Sequence, residues 1–427
     1  MSMATVPLIP DIFEEHVEEL EFLWGRRQDA LDSPRSSARD LRELDGRIDA
    51  HVEGLLLAGE RLVPLLRAGL SSNDPSAAFA VAYPLLRLDR PEAADLVLRA
   101  FLRAEGGQLE GLRQALCQGP VSAILGPLRA AARSSEPRIG LSALHVLACQ
   151  SPSECSVDRV ERFLLHRTPE LRRGGWRVAA LLKQSLPPRR YEEALGDEDP
   201  QVRSEALWAA AWARQQGILD RCRLLIASST IPAVDPLRFL AVLGSPDDLD
   251  TIRNPRWAEY LGASWFDVLG SSGHPKVIED LTQGMEHINP RLAVAAGAAF
   301  TRITGGDVDS ETRECLPPED GYEPDAFEEE FLDEAFLPDA AKAREIWERR
   351  QGMGSRGLRW CRGQEVSGAV ALDFLDRVDL RSRREICLRA HFEARWDVEP
   401  FVLQRFPQRA SDLGALGMAA PSTKGIR

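Results

Sequence analysis

A chain of 427 residues with 44% hydrophobic and 28% charged residues has ordinary globular composition, which excludes a wholly disordered or fibrous protein. Its net charge of −13 argues against direct nucleic-acid binding, which usually shows as a basic stripe. The longest apolar runs, such as Ala293 to Phe300, fall well short of the roughly 20 residues of a membrane helix, and Met-Ser-Met-Ala-Thr-Val-Pro at the start has no signal-peptide character. A cytoplasmic protein without membrane contact is expected.

Residues 1–66 read as a helical hairpin. Phe13, Val17, Leu20 and Trp24 form one apolar stripe, Leu41, Leu44, Ile48, Val52 and Leu55 form another, and the Ser33-Pro34-Arg35-Ser36-Ser37 turn separates them. Residues 67–304 carry a repeat. Short polar turns ending in proline recur at Pro75, Pro137, Pro169, Pro200, Pro236, Pro255 and Pro290, with a period of about 31 to 35 residues. In four copies the second residue after proline is apolar (Ile139, Leu171, Val202, Leu292), and the sixth is small (Ala143, Gly175, Ala206, Ala296). The tenth is again apolar (Leu147, Ala179, Ala210, Phe300). That spacing is one face of a helix, with proline at the first helical position and the Asp, Asn or Thr before it as the cap. The prediction is an all-α protein: an α-solenoid of HEAT-like helix pairs closed by the N-terminal hairpin.

Residues 305–340 contain four prolines and a concentrated charge, and read as an acidic surface linker or insertion. Helical patterning resumes over 341–427, with Ala343, Ile346 and Trp347, then a pair around Ser367 to Asp376 and Arg381 to Glu393, and a small polar tail after Ala419.

Few motifs carry chemistry. Gly352-Met353-Gly354-Ser355-Arg356-Gly357 matches a dinucleotide loop in letters only, because a helical stretch precedes it where a strand is required. The seven histidines form no HExxH and no i, i+4 pair. His16, His51 and His145 read as structural, and His274 sits on a turn with no catalytic partner nearby. The seven cysteines are scattered without a CxxC, and Cys149 and Cys155 are wrongly spaced for zinc. Trp176, Trp208 and Trp212 are expected to pack between repeats. Neither catalysis nor a cofactor or metal is expected. Lysine occurs only at 183, 276, 342 and 424, so 49 of 53 cations are arginine, a bias read as that of a GC-rich coding sequence.

The strongest functional signal is acidic. From Glu319 to Asp339 there are ten acids and no Lys or Arg, interleaved with Phe327, Phe331, Leu332, Phe336 and Leu337. A purely solvating tract needs no aromatics; alternating acids and aromatics suit docking on a basic protein surface, as a mimic of nucleic acid. The residues assigned to that interface are Asp325, Phe327, Glu328, Glu329, Glu330, Phe331, Asp333 and Glu334.

The segments Glu18-Glu19-Leu20-Glu21-Phe22-Leu23-Trp24-Gly25-Arg26-Arg27, Asp40 to Asp45 with Ala50 to Leu55, Gly357-Leu358-Arg359-Trp360-Cys361-Arg362-Gly363 and Arg383 to Glu393 resemble a family of HEAT-like repeat proteins. These are conserved hypothetical proteobacterial proteins associated with type VI secretion clusters. The resemblance implies a companion role: a cytoplasmic immunity protein that blocks a toxin, most simply a basic nuclease, or an adaptor that loads an effector onto the secretion spike. A bilin lyase-like enzyme, of a kind also built on HEAT-like repeats, is the remote third reading.

Overall fold

The computed structural model describes residues 10–228, 234–316, 318, 332–350, 358–396 and 398. Helices dominate it, with two short two-stranded sheets, so the all-α expectation holds. The chain divides into two compact units, residues 1–215 with 394–427, and residues 216–393.

The first unit opens with helices Pro10–Asp32 and Ala38–Leu56, which pack on each other, the first also against Pro75–Arg87. Ser37 and Asp40 form a capping box at the start of the second helix. Trp24 stacks flat on Phe79 at 3.5 Å, and its indole N–H donates to Gln114 at 2.7 Å. Beside it the buried Arg27 meets Asp45 at 2.5 Å. Burial pushes the Asp45 carboxyl up and outweighs the opposing pull of Arg27, as expected where desolvation competes with a buried ion pair.

Five longer helices then pack in succession: Pro75–Arg87, Gly106–Gln118, Pro137–Gln150, Pro169–Leu181 and Pro200–Trp212. Each of the last four is backed by a shorter helix that precedes it. Gly106–Gln118 fills the one gap in the proline series. It begins 31 residues after Pro75 and 31 before Pro137, with Gly106 (φ +53°) at the repeat position. The predicted face is the packed face: of its twelve residues only Leu292 is not buried. Asp74, Asp199 and Asn289 accept from backbone N–H groups as caps, and Glu136 does the same. Thr168 does not; its own N–H instead donates to the His166 ring.

In the second unit Val234–Leu243, Ala263–Ser272 and Pro290–Thr304 pack in succession, with Ile218–Ser228 against the first and Ile278–Gly284 against the last. The segment read as a linker contains secondary structure the sequence did not suggest. Strands Asp309–Cys315 and Glu334–Pro338 pair antiparallel, Cys315 opposite Glu334. Helix Ala340–Arg349 follows, then a second tiny hairpin, Trp360–Cys361 with Gln364–Glu365, turning at Arg362 and Gly363, both with positive φ. Helices Leu372–Arg377 and Leu380–Phe392 match the predicted C-terminal pair.

Arginine forks tie successive turns. Arg172 grips Asp197 through two bonds of 2.7 Å, Arg223 grips Asp248 at 2.7 and 2.9 Å, and Arg253 grips Asp280 at 2.5 and 3.2 Å. Arg172 also donates to the carbonyls of His166 and Arg167, and Arg203 to those of Asp197 and Glu198. Burial would push the Asp197 and Asp248 carboxyls up, but the forks outweigh it and hold both below the usual range. These contacts give the arginine bias a structural use.

Gly111 marks a close approach between repeats, since a Cβ there would strike the Pro75 carbonyl and the Ala78 methyl. Gly46, exposed in helix Ala38–Leu56, has nothing within 4 Å of such a Cβ. Helix propensity alone favours alanine at both sites by about 1 kcal/mol. Gly46→Ala should therefore raise the urea midpoint, whereas Gly111→Ala should lower stability by about 1–3 kcal/mol through overpacking.

Candidate functional site

Of the eight residues assigned to the acidic interface, Asp325, Phe327, Glu328, Glu329, Glu330 and Phe331 lie outside the described residues. Asp333 and Glu334 are described and exposed. The paired strands place Cys315 directly opposite Glu334, and the Leu316 N–H donates to the Asp333 carbonyl at 2.7 Å. The chain before residue 317 and the chain after residue 332 are thus held side by side. Next to them Phe336 is 43% exposed, with the Arg313 guanidinium 4.8 Å from its ring centre and 3.5 Å from Glu334. The base of the hairpin is anchored on helix Pro290–Thr304, where Gly297 leaves room for Pro338, and Val308 is buried. Asp339 serves the next element instead, capping helix Ala340–Arg349 by accepting from the N–H groups of Ala341 and Lys342.

The motif around Arg359 proves to be a helix-end clamp. The last carbonyls of a helix lack internal partners. Arg359, buried, donates to the carbonyls of Ala241, Gly244 (2.5 Å) and Ser272 (2.7 Å), at the ends of two packed helices. The Trp360 N–H bonds to the Gly273 carbonyl, while the N–H groups of Arg362 and Gly363 reach the carbonyls of Arg302 and Ile303 at the end of a third. A cation at helix C-termini also complements their partial negative charge. The adjoining cavity is lined by Ser271, Arg302, Cys361, Ser382 and Glu385. Its polar groups bond to one another: Arg302 to Glu385 (2.5 Å), Ser382 (2.9 Å) and Ser271 (3.0 Å). Arg359→Met should leave three buried acceptors without donors and destabilise the fold by about 3 kcal/mol or more, measurable by urea unfolding.

Three of the five histidines outside the N-terminal hairpin have a role the sequence did not reveal. His166, His274 and His287 each accept, through Nδ1, the backbone N–H two residues on, at 3.1, 3.2 and 2.9 Å. An accepting Nδ1 requires the neutral ring. For His274, burial lowers the pKa, helped by the charges of Lys276, Arg253 and Arg389. A folded-state pKa below the unfolded value contributes stability that is present above about pH 6.5 and is lost as pH falls toward the folded value. His274→Asn keeps an acceptor without the titration, so the fall in urea midpoint between about pH 7.5 and about pH 5.5 should be smaller than in the parent chain.

Burial pushes the thiols of Cys155, Cys361 and Cys387 up to about 11 and that of Cys222 to about 12, which leaves no thiolate nucleophile among these four at neutral pH. Trp176, Trp212, Trp257 and Trp265 are buried in helix packing, whereas Trp208, expected to pack likewise, is only half-buried. The glycine-rich stretch 352–357 lies outside the described residues, and helix Ala340–Arg349 does precede it.

One cluster of metal-type donors was missed. Cys117, near the end of helix Gly106–Gln118, meets His145 and Cys149, which are one turn apart on helix Pro137–Gln150; their donor atoms all lie within 4.8 Å of one another. Searching for cysteine pairs and histidine pairs separately overlooks a mixed His–Cys pair at i, i+4. Cys117 and Cys149 are 32 residues apart, while the helices that carry them start 31 apart, so they sit one position out of register near the ends of neighbouring helices.

Comparison with known proteins finds no matching family model and no matching curated relative. Among the described residues no helix is long and apolar enough to cross a membrane.

Proposed function

We propose that the chain is a non-catalytic, cytoplasmic protein-binding scaffold. Its partner is a basic polypeptide: a type VI secretion toxin, most simply a nuclease, which it occludes as an immunity protein. The observation that carries this reading is the strand pair that sets Asp333, Glu334 and Phe336 exposed beside each other within the acid-rich sequence 319–339. Carboxylates around an aromatic anchor match a surface built to hold a phosphate backbone: the charges steer encounter and the ring supplies buried area. The thiols raised by burial, the histidines engaged in turns and the self-paired groups around Glu385 favour binding over catalysis. The type VI setting rests on the family resemblance of the segments near the two ends of the chain.

Co-purification with the effector encoded alongside, followed by affinity measurement at rising salt, tests the proposal. Changing Glu328, Glu329, Glu330, Asp333 and Glu334 together to Ala should weaken the complex and flatten its salt dependence. Phe336→Ala should weaken it by about tenfold with the salt slope unchanged. Unaltered affinity in both variants would return the hairpin to a solubilising role. Deletion that kills cells carrying the toxin supports immunity, whereas healthy cells that no longer secrete the effector make the chain an adaptor.

A further inference from the structure

We propose that Cys117, His145 and Cys149 form a binding site for a tetrahedral thiophilic cation of the zinc class, bridging two neighbouring repeats, with a water molecule in the fourth position. The donor set is the first argument. Two sulfurs and one imidazole are the ligands this ion prefers, and in a tetrahedral site with Zn–S about 2.3 Å and Zn–N about 2.1 Å the donor atoms stand about 3.5–3.8 Å apart. Donors already within 4.8 Å of one another stand about an ångström from that spacing.

Rigidity is the second argument. His145 and Cys149 project from one face of a single helix. Next to Cys149, the Gln150 amide donates to the carbonyls of Leu116 (3.0 Å), Cys117 (2.9 Å) and Gly119 (2.9 Å), which pins the backbone that carries the third ligand. The backbone that carries the ligands is therefore held in place before any ion arrives.

Charge balance is the third. Two thiolates neutralise a divalent ion, and both thiols release a proton on binding. The nearby Arg113 is ion-paired with Glu110 and adds no net charge. A disulfide between Cys117 and Cys149 is the competing use of the same sulfurs, but it gives the imidazole no part. Among the described residues no further His, Cys, Asp or Glu joins the group, so three protein ligands leave one position open.

The test uses the full chain, reduced and freed of metal by a chelator, then titrated with Co²⁺ and with Zn²⁺. One Co²⁺ per chain should bind with the intense ligand-field absorption of a tetrahedral site and a thiolate charge-transfer band, and Zn²⁺ should displace it. Cys149→Ser and His145→Gln should each weaken Co²⁺ binding at least about 100-fold, more than the loss of an outer partner produces, while Cys155→Ser binds as the parent does. The unaltered chain supplies a readout independent of variant folding. Zn²⁺ should protect Cys117 and Cys149 from alkylation and leave the exposed Cys315 reactive. Absence of a tetrahedral cobalt spectrum in the reduced chain, alkylation unaffected by Zn²⁺, or binding that survives loss of His145 would each overturn the site. If the purified protein carries a Cys117–Cys149 disulfide, reduction should restore tetrahedral Co²⁺ binding, and failure to restore it would overturn the site as well.

Discussion

A packed helix carries backbone groups at each end that its own hydrogen-bond ladder cannot satisfy, and every turn between two packed helices concentrates them. This chain meets the constraint at N-termini with a polar residue before proline, and around the turns largely with arginine. Arg172, Arg203 and Arg359 each reach two or more turn or helix-end carbonyls. Arg172, Arg223 and Arg253 add bidentate grips on a carboxylate of a following turn. A planar fork with five N–H donors serves a carbonyl and a carboxylate at once, which a lysine ammonium does with less geometric control. The scarcity of lysine is consistent with this use, and coding bias need not be its sole origin.

The same economy bears on function. Side chains of kinds that catalysis uses are engaged with the fold itself: His166, His274 and His287 accept from the backbone, and Glu385 is held by Arg302 and Ser271. At the hairpin on helix Pro290–Thr304, by contrast, Asp333 and Glu334 are exposed within a sequence rich in acids, with Arg313 beside Glu334. The exposed acids and the exposed Phe336 are the features on which the proposed recognition of another polypeptide rests. The Cys117, His145 and Cys149 cluster lies in the other compact unit and bears on a different matter, what ties two neighbouring repeats together.

Much of the fold was legible in the order of residues. Proline at the first helical position, an acceptor before it and an apolar-small-apolar stripe after it predict the helices from Pro137, Pro169, Pro200 and Pro290, and all four form. The helix beginning at Gly106 escaped because it keeps the period while lacking the proline; its close contact uses Gly107 and Gly111 in place of the aligned small residue. The strands Asp309–Cys315 and Glu334–Pro338 escaped because charge hides them: six of the seven residues in the first are exposed, so no apolar alternation marks it. Most of the proposed acidic interface lies outside the described residues, and only its end at Asp333 and Glu334 has a place in the structure.

Helix formation is governed by contacts three and four residues apart, and those are written directly into the chain; fold class, helix starts and buried faces follow from them. Pairings that join residues 25 or more apart are of another kind. Which turn Arg172 would grip, that Arg359 would close the ends of helices more than 80 residues earlier, and that a cysteine of one repeat would meet a histidine and a cysteine of the next all depend on how helices stack. Stacking is set by the close approach of small residues such as Gly111 and by the sum of many weak contacts, so it resides in the packed assembly of side chains and in no local pattern.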